Sequence, residues 1–142
     1  THERRIEGVG EMNLMIFDIY EALKANPLIS QKVGANGIKM YQVEEDNVTQ
    51  KPFILIVPLN PSTNAYFGGN SPLSKQFAYQ INVESTDLFL VKEISNAIQK
   101  TMWQNGFGQL AGGLDEYFEE TKRYVEAKRY RKNTNINDID VY

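Results

Sequence analysis

The sequence predicts an α+β fold: an antiparallel-rich sheet with two helices packed on it and a terminal β-hairpin. Residues 13–25 and 88–103 repeat apolar side chains at the spacing of an amphipathic helix. Residues 76–84 instead alternate apolar and polar side chains, which is the pattern of a half-buried strand. The order of helix, strands, helix and hairpin is typical of an α+β domain.

Length and composition indicate one domain with its own core. The chain has 142 residues, of which 42% are hydrophobic and 11% aromatic. We expect a single α+β domain over residues 12–132. Residues 1–11 would be an N-terminal arm or an expression remnant, and residues 133–142 a flexible C-terminal tail.

Charge and cysteine content exclude several classes of protein. The formal net charge of -3 gives no broad electrostatic attraction to nucleic acid. The absence of cysteine excludes disulfides, thiolate nucleophiles and Cys-ligated zinc. No apolar run approaches the roughly 18–20 residues that span a membrane. An intracellular, reducing compartment is the default expectation.

The first predicted helix, over residues 13–25, ends where proline begins to restrict the backbone. Its apolar stripe consists of Ile16, Ile19, Tyr20 and Leu23. Asn26-Pro27 ends it, because the residue before a proline disfavours the α region. Residues 30–37, which contain two glycines, are interpreted as a loop.

Two strands are predicted next. Residues 38–44 form a short strand that leads to a turn at Asp46-Asn47. Residues 53–59 are continuously apolar, which suits a central strand covered on its faces. Pro58 cannot donate a ladder hydrogen bond, so this strand is expected to end or to meet an edge there.

Residues 60–75 have no periodicity and contain two prolines and two glycines, which predicts a long loop. Its candidate interface residues are Asn64, Tyr66, Phe67 and Leu73. Aromatic side chains in such a loop are typical interface anchors. The alternative, that they fold back on their own domain, stays open.

The second half of the chain repeats a strand, a helix and a hairpin. In strand 76–84, Phe77, Tyr79, Ile81 and Val83 share one face. Ser85-Thr86-Asp87 is a helix start, and Asn105-Gly106 is a helix end. The stripe of helix 88–103 is Leu90, Val91, Ile94, Ala97, Ile98 and Met102.

The last part of the domain is interpreted as a hairpin of strands 114–119 and 122–131, turning near Glu120-Thr121. One face of the second strand would carry Tyr124, Glu126, Lys128 and Tyr130, and the other Val125, Ala127 and Arg129. A single helix through 114–132 is the alternative, because Glu, Lys and Arg are good helix formers.

The residues offer little catalytic chemistry. His2 is the only histidine, so a His-based metal cluster or a Ser–His pair cannot form. Asp115, Glu116, Glu119 and Glu120 are dense carboxylates that could hold a hard cation or serve a small enzyme. The basic run that follows favours charge pairing instead. We therefore predict no enzyme, no cofactor and no metal.

Paired charges and the basic run suggest two kinds of surface. Inter-subunit charge pairs are expected to draw on Glu116, Glu119, Arg123, Lys128 and Arg129. The alternative function is a nucleic-acid-binding module that uses the basic strand 122–132, because aromatic side chains among basic ones can stack on bases.

Several segments together resemble one family of phage proteins. They are the helix Met12–Leu23, the apolar strand Pro52–Pro58, the alternating strand Gln76–Glu84, the helix Leu88–Trp103 and the ending Tyr117–Tyr130. In order and style they resemble the tail-terminator or head–tail joining (tail completion) proteins of long-tailed siphophages. The resemblance spans roughly residues 12–132 and includes no invariant catalytic motif.

The resemblance implies a structural role in the virion. Such proteins are not enzymes; they are assembled in the bacterial host cytoplasm and form a ring, typically a hexamer, in the tail or neck. Their expected partners are further copies of the chain, the tail-tube protein and the head connector protein. DNA would pass through the lumen without specific binding, and neither a membrane nor a small-molecule substrate is implied. The loop 60–75 would then face the tail tube or a neighbouring subunit.

Overall fold

The computed structural model describes residues 14–43, 51–68 and 71–134, with only the backbone described at 66–68 and 71–73. The predicted α+β class is confirmed. The described elements, in chain order, are α1 (Met15–Ala25), α2 (Pro27–Lys32), a 3₁₀ turn (Ala35–Gly37), β1 (Ile38–Met40), β2 (Phe53–Pro58), β3 (Thr63–Gly68), β4 (Ser71–Ser85), α3 (Leu88–Gln104), β5 (Gly108–Phe118) and β6 (Arg123–Asn133).

The strands form one mostly antiparallel sheet. Within the described residues its order is β1-β2-β4-β6-β5, and β3 pairs with the first part of β4. β1 and β2 run parallel, and the remaining pairs are antiparallel. β2 lies inside the sheet, as predicted. It ends at Pro58, beyond the last paired residue of β1, where the missing N–H costs no ladder bond.

α1 is confirmed, and the residue that ends it begins a second helix. Asn26 leaves the helical conformation at the end of α1. Its side-chain oxygen then accepts hydrogen bonds from the backbone N–H groups of Leu28 and Ile29, at 3.0 and 3.2 Å. Pro27 suits the first helical position because its missing N–H is not needed there. The loop prediction for 30–37 is therefore wrong at its start, because α2 continues to Lys32.

α3 is confirmed at both ends. The Asp87 side chain accepts a hydrogen bond from the Leu90 N–H at 3.2 Å, and the Ser85 hydroxyl accepts one from the Asp87 N–H at 3.1 Å. These bonds satisfy N–H groups that the helix itself leaves free. Gly106 follows the helix with φ of 86°, a backbone conformation that suits glycine.

The core lies between the helices and one face of the sheet. Tyr79, Ile81 and Val83 of β4 are buried there as predicted, and Phe77 packs against them partly exposed. Ile54 and Ile56 of β2 are fully buried on the same face. Fully burying one such side chain stabilises the fold by roughly 1.5–3 kcal/mol. The other face of the sheet, called the open face below, carries the residues that alternate with these.

The prediction of a loop over 60–75 is wrong, because most of this segment pairs as a two-stranded ribbon. β3 pairs with residues 71–76 of β4, and the register shifts twice between Asn64 and Phe67. These irregularities break the alternation on which a strand prediction depends. Gly69-Asn70 joins the strands in the sequence and is a type of dipeptide that two-residue hairpins favour.

The terminal hairpin is confirmed, which removes the alternative of a helix through 114–132. β5 begins earlier than predicted, at Gly108. It contains a bulge, because the pairing with β6 shifts between Leu110 and Gly113. Tyr124 and Tyr130 face the core, whereas Val125 and Ala127 lie on the open face with their partners in β4.

Some predictions concern residues outside the described ones. They are the arm 1–11, with His2, the turn at Asp46-Asn47, and residues 135–142 of the tail. Among the helices of the described residues, none is long and apolar enough to cross a membrane.

Candidate interaction surfaces

The ribbon of β3 with residues 71–76 of β4 carries the four predicted interface residues. Asn64 is exposed on β3. The backbones of Tyr66 and Phe67 lie on β3, and that of Leu73 lies on the paired part of β4. β6 last pairs with β4 at Gln76, followed by two hydrogen bonds of 2.8 Å between Lys75 and Thr134. The structure therefore brings these four residues onto one ribbon that runs past the end of β6.

Two of the predicted inter-subunit cations bind within their own chain. The Lys128 ammonium donates to the Gln99 side-chain oxygen of α3 at 2.8 Å. The Arg129 Nε donates to the Gln80 side-chain oxygen of β4 at 2.9 Å. They lie on opposite faces of the sheet, because consecutive strand residues alternate. Lys128 and Arg129 therefore do not belong to one basic patch along β6.

Arg123, a third predicted inter-subunit charge, is buried on the open face. It is only 8% exposed, and its guanidinium carbon lies 5.4 Å from the centre of the Phe53 ring. Among the residues that the structure describes, one terminal nitrogen, Nη1, has no hydrogen-bond partner. A buried, incompletely bonded guanidinium is costly, and stacking on an aromatic ring offsets part of that cost.

Most acidic residues of the terminal hairpin are exposed, and two of them meet at one lysine. Asp115 contacts Lys92 of α3, which also lies 3.5 Å from Glu126. Glu116 and Glu119 are exposed, as predicted for surface charges, and Glu116 lies on the open face beside Val125. Because Asp115 and Glu116 point to opposite faces, they cannot serve one reaction centre, which argues against a carboxylate-based enzyme.

The shifted pKa values of two tyrosines and one glutamate reflect burial. Burial raises the pKa of the Tyr79 and Tyr130 hydroxyls well above the ordinary tyrosine range, with neighbouring groups adding smaller effects. Burial also raises the pKa of Glu84, and nearby Arg123 opposes this shift. No three His, Asp or Glu side chains in the described ranges lie close enough to hold a metal ion.

Exposed apolar side chains on α3 were not anticipated. Phe89 is 87% exposed and Trp103 is 74% exposed. Both lie outside the predicted stripe that packs on the sheet. The signal was present in the sequence, because an aromatic residue off the buried stripe of an amphipathic helix has no core to enter.

Trp103 borders an open groove of about 570 Å³ between α3 and the sheet. Phe107 and Tyr130 line it and are both buried. The amides of Gln99 and Gln104 also line it. The groove thus combines an aromatic base with hydrogen-bonding walls.

Comparison with known proteins gives a likeness of fold. One solved structure, described as "Virion of native gene transfer agent (GTA) particle", contains a chain that superposes with a TM-score of 0.59. The two chains are 11% identical, and the match covers 82% of this chain and 91% of the other. No family model matches this sequence. No curated protein matches it either.

Proposed function

We propose that this chain is a structural, non-enzymatic subunit of a phage-like virion. In this proposal it is a tail terminator or head–tail joining protein that assembles into a ring, hexameric as in the resembled family, at the end of the tail tube. The observation that carries the proposal is the fold, which matches nearly the whole length of a chain from a gene transfer agent particle. The placement of Asp115 and Glu116, both exposed and on opposite faces of the sheet, also favours a structural role.

The ribbon would meet the tail tube or a neighbouring subunit. An isolated two-stranded ribbon is marginally stable, so docking on a partner would supply contacts that it lacks alone. The head connector would meet the other side of the ring. DNA would pass through the lumen without specific binding, because a chain of net charge -3 does not attract phosphate broadly.

Light scattering and native mass spectrometry test the ring, and electron microscopy with tubes of the cognate tail-tube protein tests its position. We expect a ring, or a monomer that forms rings at tube ends. Tyr66→Ala with Phe67→Ala should weaken tube binding. Tyr41→Ala, an exposed aromatic outside the ribbon, is the matched control. A strict monomer that never binds tubes would exclude the proposal.

The nucleic-acid alternative makes a separate prediction. Gel-shift titration at low salt would reveal binding through β6, and charge reversal at Arg123 and Arg129 would abolish it. The structure gives this alternative little support, because Arg123 is buried and Arg129 is bonded to Gln80. Absence of any shift at low salt would end it.

A further inference from the structure

The two most exposed large apolar side chains of the described residues lie on one side of α3, near its two ends. Phe89 is in the first turn and Trp103 in the last, 87% and 74% exposed. Leu88, beside Phe89, is 40% exposed. Phe89 and Trp103 are separated by close to four helical turns, roughly 21 Å, so both project from the same side of the helix.

The two ends of α3 differ in shape. At the N-terminal end Leu88 and Phe89 form a protruding apolar pair, called the knob below. At the C-terminal end Trp103 borders the groove, whose base is formed by the buried rings of Phe107 and Tyr130. A protruding phenyl ring suits a groove bordered by the exposed indole of Trp103, because aromatic pairs gain energy beyond their buried area.

The two ends also differ in charge. Asp87 and Glu93 flank the knob and are both exposed. Lys100 lines the groove and is also exposed. The amides of Gln99 and Gln104 can pair with polar groups that accompany an entering side chain. Lys92 is also near the knob, but it contacts Asp115 and lies 3.5 Å from Glu126. Acidic groups therefore outnumber the cation beside the knob, whereas the groove carries Lys100.

Knob and groove cannot meet within one chain, because the rigid helix α3 holds them about four turns apart. We propose that Phe89 of one copy inserts into the groove beside Trp103 of the next copy, so that α3 carries both halves of a head-to-tail contact. Such a contact joins different surfaces of identical chains and closes into a ring where its rotation permits. The inference rests on the proposed function and names the contact that builds its ring.

Light scattering on two single variants tests the contact. Phe89→Ala removes the knob, and Trp103→Ala removes the wall of the groove. Each should weaken self-association by roughly 30-fold or more, as expected for an aromatic hot spot. Both side chains are highly exposed, so neither change should impair folding, which circular dichroism checks. Tyr41→Ala removes a 63% exposed aromatic elsewhere and should assemble as the wild type does.

A mixture of the two variants tests whether the knob of one copy meets the groove of another. The Phe89→Ala chain keeps its groove and the Trp103→Ala chain keeps its knob, so an equimolar mixture should form dimers through one intact contact. Assembly should stop there, because each dimer has lost its outer knob and outer groove. A two-fold contact in which each copy's knob enters the other's groove would also give a mixed dimer, but its wild type would stop at the dimer. A wild type that forms only dimers would therefore refute the head-to-tail contact.

Each other outcome is decisive. If the wild type forms rings and either variant still forms them, the contact is wrong while the ring proposal stands. The contact is also wrong if both variants are monomeric and their mixture stays monomeric. If the wild type is monomeric both in solution and with tail tubes, the contact and the proposed function fail together.

Discussion

Replacing Gly113 with alanine should destabilise the fold more than the same replacement at Gly34 or Gly108. Gly113 has φ of 109° and lies at the bulge of β5. A Cβ atom there would approach the Ala127 carbonyl oxygen to 2.1 Å. That oxygen belongs to the backbone of β6, which pairs with β4 and β5, so it cannot move without disturbing two ladders.

The loss of unfolding free energy expected for Gly113→Ala has two separable causes. An unfavourable positive φ costs about 1–3 kcal/mol for a residue with a side chain. The backbone clash adds to it, so the free energy of unfolding should fall by about 3 kcal/mol or more. This is a large part of the 5–15 kcal/mol that typically stabilises a domain.

Urea denaturation followed by circular dichroism measures this loss, provided that the m-value is unchanged. Two control variants separate the contributions. Gly34 has φ of 77° but open space where a Cβ would lie, so Gly34→Ala isolates the cost of a positive φ. Gly108→Ala has neither constraint and should change stability by no more than about 0.5 kcal/mol. The reasoning is refuted if Gly113→Ala costs no more than Gly34→Ala.

Three further predictions concern capping and charge. Asn26→Ala removes the α2 cap and a 2.8 Å hydrogen bond to Thr101, so the free energy of unfolding, measured by urea denaturation, should fall by about 1–2 kcal/mol. Asn26→Asp keeps a capping oxygen and should lose less. Equal losses in the two variants would contradict the capping role. Lys92→Met should cost less than about 1 kcal/mol at low salt and nothing in 1 M salt. The hydrogen bond to Asp115 is the main reason why the pKa of Lys92 is raised. The difference in unfolding free energy between Lys92→Met and the wild type should therefore persist below the ordinary lysine pKa and vanish at strongly alkaline pH. Glu84→Gln should stabilise the fold at pH 7, because burial raises the pKa of Glu84 and its ionisation is costly in the folded state. The gain in unfolding free energy should disappear below pH 4.5, where Glu84 is protonated in both states. A gain that is the same at every pH would refute this cause.

The regular elements could be predicted because their burial is one-sided. Helix α3 and the alternating part of β4 each present one apolar face to the core, so their spacing in the sequence reports that face directly. The ends of α3 were equally predictable, since Asp87 and Gly106 satisfy local backbone requirements. In these segments local preference and tertiary packing favour the same structure.

The ribbon and α2 could not be predicted in the same way. In β3 the register shifts on both sides of Tyr66, so no period of two survives in the sequence. α2 has six residues and is too short to show a helical period. Its only local signal, Asn26-Pro27, was interpreted as the end of α1, although the same pair also begins a helix.

For a similar reason, the sequence could not show which of the candidate surface charges are paired within the chain. A sequence shows that Arg123, Lys128 and Arg129 are basic, but not which of them has a partner across the sheet. Gln80 and Gln99, which bind Arg129 and Lys128, are far away in the sequence. Pairings of this kind depend on the strand order, which the apolar pattern alone does not determine.

Two edges of the sheet support the proposal that self-association would use α3. β5 is a long edge strand, and such edges invite pairing with another chain. Its bulge at Gly113 and the charges of Asp115 and Glu116 oppose that pairing, because a second copy would bring like charges together. The opposite edge, β1, has only three residues. With β1 and β5 both poor edges for pairing, the proposed contact between copies would use the helical layer, where one knob and one groove would favour a closed ring over an open-ended stack of strands.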